Sequence, residues 1–202
     1  MHSELLIATN NAGKILELNA LLANLPLRLR QLSEFPHIEE VEETGNTFAE
    51  NASLKATQYG RQANLLTLAD DSGLEVDALN GAPGVLSARY AGPDATDAER
   101  NERLLAELGH AVDERRTARF VCAIALYDPL TGTTEIFDGT CEGHIAQHPR
   151  GHHGFGYDPL FIPSGHTHTF GELSEVVKQQ ISHRARALAA VRAYLNERFS
   201  RV

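Results

Sequence analysis

The stretch Leu66-Thr67-Leu68-Ala69-Asp70-Asp71-Ser72-Gly73 constrains the chain most. An apolar run ends abruptly in two carboxylates, a hydroxyl and a glycine. The run predicts a buried strand, and Asp-Ser-Gly predicts the turn after it. In open α/β sheets ligands bind beyond the carboxyl ends of the strands, so an acidic pair there is a candidate metal or general-base site. Asp and Ser also make ordinary turns, and on its own the stretch favours that plainer reading. Successive strand side chains point to opposite faces. At most one of the two carboxylates therefore reaches a given site, and the other does structural work.

The flanking sequence supplies the layers such a strand needs. Leu5-Leu6-Ile7-Ala8 predicts a second buried strand. Ile15, Leu18, Leu22 and Leu25 then fall on one face of a helix that Pro26 stops. Leu27 to Leu32 predicts another strand. Thr47 and Glu50 form a capping box, so a helix follows over Phe48 to Ala63. Leu74 to Leu79 predicts a short strand. Thr96 caps a helix carrying Leu104, Leu105 and Leu108, which Gly109 ends. Arg119–Tyr127 and Thr134–Ile145 predict a hairpin of long strands, with Phe120, Cys122, Ile124 and Leu126 on one side. Pro159 to Ile162 is brief and extended. Ile181, Ala185, Leu188, Leu195 and Phe199 share one side of a closing helix. The fold class is α/β: a mixed sheet with flanking helices and two lobes, whose cleft is the default binding site.

Composition narrows the function. A formal net charge of -9 argues against nucleic-acid binding, which needs a basic surface. A small anionic substrate stays compatible, because a local cluster or a metal offsets the global charge. The two cysteines, Cys122 and Cys141, make no CxxC pair and suit a reduced, cytoplasmic protein. Met1-His2-Ser3-Glu4 and the short apolar run after it do not read as a signal peptide. No apolar stretch approaches the ~20 residues of a membrane span.

Four groups of residues are candidates to carry chemistry. Thr9-Asn10-Asn11-Ala12-Gly13-Lys14 has the parts of a phosphate site: a helix start with free N–H groups, a glycine that admits close approach, and a lysine. The Walker pattern GxxxxGK[ST] is absent. A helix start capped by Asn11, with Lys14 in solvent, explains the same residues. Glu42, Glu43, Glu50, Asp70 and Asp71 are hard oxygen donors of the kind Mg²⁺ takes alongside substrate phosphates, although the capping box already explains Glu50. Gly151 to Asp158 joins flexible backbone to Phe155 and Tyr157. An aromatic there stacks on a base or anchors the loop in the core. Lys178, Ser182, His183 and Arg184 cluster at the start of the last helix, as donors to a planar ligand or as a cap and a polar face. His144, His148, His152, His153, His166 and His168 lack the paired Cys or HExxH of a zinc site. No GxSxG nucleophile elbow is present.

Seven pieces in this order closely resemble the inosine triphosphate pyrophosphatase family, the XTP/dITP diphosphatases. They are Thr9–Lys14, Glu42-Glu43-Thr44-Gly45, Phe48-Ala49-Glu50-Asn51-Ala52, Ala69–Leu74, Gly81–Gly84 with Ser87-Ala88-Arg89-Tyr90, Gly154–Pro159, and Ile181-Ser182-His183-Arg184. The resemblance spans nearly the whole chain. It implies one ITPase-like domain over 1–202, with an elongated mixed sheet and two lobes around a central cleft. It also implies cleavage of ITP, dITP and XTP between the α and β phosphates, with Mg²⁺, in a homodimer that cleanses the nucleotide pool. The implied roles are these. Thr9, Asn10, Asn11, Ala12, Gly13 and Lys14 hold the triphosphate. Glu42 and Asp71 hold the metal, with Asp71 also the proton acceptor. Ser72 contacts substrate, and Phe155, Gly156, Tyr157, Asp158, Lys178, His183 and Arg184 surround the base. Val176 and Val177 stand where many relatives carry paired Glu, and His153 where Gly is usual. These departures bear on substrate preference and leave the reaction class alone. Two alternatives stay open: a nucleotide pyrophosphatase of another base preference, and a catalytically silent nucleotide sensor.

Overall fold

The computed structural model describes residues 3–23, 25–109 and 116–200, the side chains of 199 and 200 excepted. Met1 and His2 of the leader, and the Phe199 side chain expected on the closing helix, lie outside the described residues. The described chain is a mixed α/β fold. Its strands are β1 (Glu4–Ile7), β2 (Arg28–Gln31), β3 (Leu66–Val76), β4 (Thr117–Asp128), β5 (Thr133–Ile145) and β6 (Phe161–Pro163). Its helices are α1 (Ala12–Leu22), α2 (Phe48–Ala63), α3 (Asp97–Leu108), α4 (Glu175–Ile181) and α5 (His183–Ser200). The strands form one sheet in the order β2-β1-β3-β4-β5-β6. β1 runs parallel to both β2 and β3, and β5 runs antiparallel to β6. Two capping boxes set helix starts as predicted, Thr47 with Glu50 for α2 and Thr96 with Glu99 for α3.

The chain divides into two compact units. The first comprises Met1–Asp71, Cys122–Gly139 and Ala185–Val202, and the second Ser72–Val121 and Thr140–Arg184. In the first unit, strand alternation sorts side chains to two faces. Leu5 and Ile7 of β1, Leu66 and Leu68 of β3, and Cys122, Ile124 and Leu126 of β4 pack with Leu18 and Leu22 of α1 and Leu188, Val191 and Leu195 of α5. Thr67 and Tyr127 have the opposite parity and meet α2: a Cβ at Gly60 would lie 2.4 Å from Tyr127 Cδ1 and 3.0 Å from Thr67 Oγ1. Gly60 is therefore glycine because the helix approaches the sheet too closely for a methyl.

The second unit has its own core. Leu74, Val76, Leu104, Ala118, Phe120, Ile145, Leu160, Phe161 and Phe170 are buried together. Phe120 lies 4.6 Å from Phe161 between ring centroids, and Phe161 lies 5.5 Å from Phe170. Arg116 is buried and donates from Nε to the Ile145 carbonyl and from Nη2 to the Ala146 carbonyl, each at 2.8 Å. Its two donors satisfy backbone oxygens that would otherwise be stranded away from water.

Four expectations are corrected. Asp71-Ser72-Gly73 is not a turn, because β3 runs on to Val76 and absorbs most of the separate strand expected over Leu74–Leu79. Asp77–Leu79 is instead a short 3-10 turn. Gly73 serves close approach: Ser87 Oγ accepts from the Leu74 amide at 2.9 Å, and a Cβ at residue 73 would sit 2.3 Å from that oxygen. The Ser87–Tyr90 stretch, ambiguous in sequence, falls in a 3-10 helix over Gly84–Arg89 and its end. The closing helix is two helices. Ser182, at φ −68 and ψ 158, separates them, so Lys178 and Ile181 belong to α4. Leu25 lies beyond the end of α1 yet still joins the core.

The Gly60 contact yields a stability test. By helix preference alone, Gly60→Ala would stabilise by about 1 kcal/mol. Overpacking costs about 1–3 kcal/mol, so the urea midpoint should fall. A raised midpoint would show that Tyr127 yields freely.

Candidate active site

In the first unit, β3 delivers two adjacent carboxylates to opposite faces, and each meets a lysine from the helix on its own side. Asp70 is fully buried, and its Oδ2 lies 3.1 Å from Lys14 Nζ of α1. Asp71 is 6% exposed. Its Oδ2 accepts from Asn51 Nδ2 at 3.1 Å, and its Oδ1 lies 3.5 Å from Lys55 Nζ, both on α2. Asn51 and Lys55 are one helical turn apart and so share a face. Lys55 also donates to Glu43 Oε1 at 2.6 Å.

The charges explain the titration. Burial pushes the Asp71 carboxyl above the ordinary carboxylate value, against the pull of Lys55 and Lys14. Burial opposes the Lys55 charge, yet Asp71, Asp70 and Glu43 hold its ammonium above the ordinary lysine value. Three carboxylates thus face two ammonium groups. That surplus of negative charge and hard oxygen suits a divalent cation. Among the described residues, no group of three or more His, Cys, Asp or Glu side chains could hold a metal. Mg²⁺ does not require one, since it binds through one or two carboxylates plus waters and substrate phosphates.

In the Thr9–Lys14 loop the expected Asn11 cap is present, but the lysine is not in solvent. Asn11 Oδ1 accepts from the Lys14 amide at 3.0 Å and caps α1, and Thr9 Oγ1 accepts from the Asn11 amide at 3.2 Å. Asn10, Asn11 and Ala12 are exposed, and the amides of Ala12 and Gly13 open a first turn that holds no acidic residue. An α-helix offers those amides no backbone acceptor. Lys14 is not in solvent, because it is ion-paired with Asp70. Glu42 is exposed in a segment tied to α2: the Val41 amide donates to Tyr59 Oη at 3.1 Å and the Gly45 amide to Asn51 Oδ1 at 2.7 Å. Glu50 caps α2, accepting from the amides of Asn46 and Thr47 at 2.7 and 3.1 Å.

The second unit gathers the other candidates. Arg184 is buried, and its Nη2 donates to Ser72 Oγ at 2.8 Å. Lys178 is buried, is ion-paired with Asp158, and lies 4.8 Å from the centroid of the Phe155 ring. Arg184 Cζ lies 5.9 Å from the same centroid. His183 stacks on Phe120 at 4.7 Å and 14°. Phe155 is half-buried, whereas Tyr157 is buried. Tyr157 is a core anchor: its Oη donates to the Ser87 carbonyl at 2.9 Å, and burial raises its phenol well above the ordinary value. Val176 is exposed on α4 and Val177 half-buried. His153 is exposed, its amide donating to the Gly171 carbonyl at 2.9 Å.

Asn51 and Lys55 were not singled out from sequence. Their signal was there: two polar residues, four apart, on the helix face that otherwise buries Phe48, Ala52, Ala56 and Tyr59.

Comparison with known proteins identifies the family. A protein of Bacillus anthracis named dITP/XTP pyrophosphatase is 47% identical over 197 residues, 97% of this chain and 98% of that protein. One of the same name from Geobacillus kaustophilus (strain HTA426) is 51% identical over 185 residues, 92% of this chain and 90% of that protein. The solved structure of a HAM1 protein from Coxiella burnetii matches with a TM-score of 0.88 and 45% identity, covering 98% of this chain and all of that one. The Staphylococcus aureus Ham1 protein matches with a TM-score of 0.86 and 42% identity, covering 96% of this chain and 99% of that one. Residues 5–194 match the Ham1 family, and this chain belongs to it.

Proposed function

We propose that this chain hydrolyses deaminated purine nucleoside triphosphates (ITP, dITP and XTP) to the monophosphate and pyrophosphate, and so cleanses the nucleotide pool. The observation that carries the reading is the setting of Asp71, a buried carboxylate held between Asn51 Nδ2 at 3.1 Å and Lys55 Nζ at 3.5 Å. The relatives named dITP/XTP pyrophosphatase support the same reaction.

In this reading Thr9, Asn10 and Asn11, the amides of Ala12 and Gly13, and Lys14 bind the triphosphate, a role suited to a helix start. Glu42 and Asp71 would hold Mg²⁺ together with the phosphates. When bound, that ion neutralises charge on the phosphates and on the leaving pyrophosphate. Asp71 orients a water and takes its proton while the water oxygen attacks the α-phosphorus in line. Asn51 and Lys55 fix the carboxylate for that step. The resemblance to the family supports a homodimer and a cytoplasmic location. Among the described residues, no helix is long and apolar enough to cross a membrane.

The base is read through its edges. Hypoxanthine and xanthine present O6, an acceptor, where adenine presents an amino donor. Lys178, His183 and Arg184 supply donors, so O6 is met and ATP is opposed. Guanine also carries O6, so its rejection lies at the 2-position, where a donor accepts the oxo group of xanthine and opposes an amino group. Discrimination is large when a buried polar group is left unpaired.

Three outcomes test the proposal. With Mg²⁺ and a panel of ITP, XTP, dITP, GTP, ATP and dUTP, pyrophosphate should be released from the first three. Phosphate release alone, or binding without turnover, would contradict it. Asp71→Asn should keep the fold, read by circular dichroism, and lose about 10²–10⁴-fold in turnover. A near-parental rate would remove Asp71 from its role. Arg184→Ala should narrow the ITP-to-GTP ratio of kcat/KM as well as lower the rate, and an unchanged ratio counts against the base-side assignment.

A further inference from the structure

Gly156 is held by its backbone from one face of α3. Its amide donates to Asp97 Oδ2 at 2.6 Å, and its carbonyl accepts from Asn101 Nδ2 at 3.0 Å. Asp97 and Asn101 are one turn apart, so a single helix face grips both polar groups of one residue. The Phe155 amide is tied separately, donating to Asp158 Oδ2 at 2.8 Å. The orientations of the two peptide planes that flank a Cα set its φ and ψ. Here the plane before Phe155 is tethered through its own amide, and the plane after it through the Gly156 amide. The next plane is tethered through the Gly156 carbonyl. The backbone of Phe155 is thus fixed directly by two side chains, Asp158 and Asp97, and Asn101 fixes the adjoining residue that carries the Asp97 tether, in a stretch that otherwise forms no helix or strand.

The support continues outward. Asp97 is ion-paired with Arg100, whose Nη1 donates to the Ala88 carbonyl at 2.9 Å. Asn101 is 5% exposed, buried although polar, which is costly unless its bond is made. Asp97 and Asn101 act on Phe155 through the chain, by way of Gly156.

We infer that Asp97 and Asn101 are positioning residues that pre-set the Phe155 ring for stacking on the purine. The inference rests on the reading above, in which Phe155 faces the base. A ring already fixed in its binding position loses little freedom when the base arrives, so the pair contributes to affinity for the nucleoside end. The triphosphate end is bound by other residues and is indifferent to it.

The test compares Asn101→Ala, Asp97→Ala and the conservative Asp97→Asn, which keeps an oxygen acceptor, with Phe155→Ala alongside. Asn101→Ala and Asp97→Ala should each raise KM for ITP by roughly tenfold, which corresponds to about 1.4 kcal/mol. Turnover at saturation should stay within about twofold, the pattern of lost ground-state and transition-state binding together. Inhibition by inorganic pyrophosphate, which has no base, should not change. Asp97→Asn should recover most of the loss. A general loss of folding would instead weaken pyrophosphate inhibition and turnover together, and that result overturns the inference. So does a parental KM in both alanine variants when Phe155→Ala raises it. If Phe155→Ala itself leaves KM unaltered, the base-side reading fails first and the inference falls with it.

Discussion

Two consecutive carboxylates on one buried strand must each find a cation, and the first unit is arranged to supply one on either side. A buried carboxylate without a partner is expensive, and removing one member of a buried pair costs ~3–5 kcal/mol. Asp70 on the α1 face takes Lys14, and Asp71 on the α2 face takes Lys55 with Asn51. The alternation of β3 therefore dictates which residues the two helices must carry at those points. The close seat of α2, with no Cβ at Gly60, brings Asn51 and Lys55 within reach of the strand.

The two faces then differ in kind. On the α1 side Asp70 is ion-paired with Lys14, which closes the Thr9–Lys14 loop. On the α2 side Lys55 is shared between Asp71 and Glu43, so Asp71 keeps acceptor capacity that a private ion pair would consume. The proposed roles follow this division, with Asp70 assigned to the architecture and Asp71 to the water and the metal. Alternation alone said that the pair splits; the contacts give each member its lysine.

Much of this was legible in the chain. The capping box at Thr47 and Glu50 fixed α2 because the local hydrogen bonds and the apolar period agree there. The split of Asp70 from Asp71 followed from the period of a strand. The turn expected at Asp71-Ser72-Gly73 was misread because composition cannot distinguish a glycine that bends a chain from one that admits a neighbour. Here the neighbour is Ser87, fourteen residues downstream of Gly73 and invisible to a local window. The break at Ser182 was missed for a related reason: serine tolerates helix and extended backbone alike, and the apolar spacing runs across it. Asn51 and Lys55 passed unnoticed because a charged residue on a helix is ordinarily solvated. Only the partner strand reveals that theirs is the buried face.

Lys14 carries a double obligation that shapes how such a site changes over generations. It anchors α1 to β3 through Asp70, and it borders the loop read here as the triphosphate seat. Exchanging it for a neutral residue takes a cation from a buried carboxylate and blunts the loop in one step. Drift at position 14 therefore meets two independent filters, and a viable detour has to alter position 70 in concert. Lineages that abandon the reaction should lose this lysine and its aspartate together more often than either by itself, because each is the other's ion-pair partner.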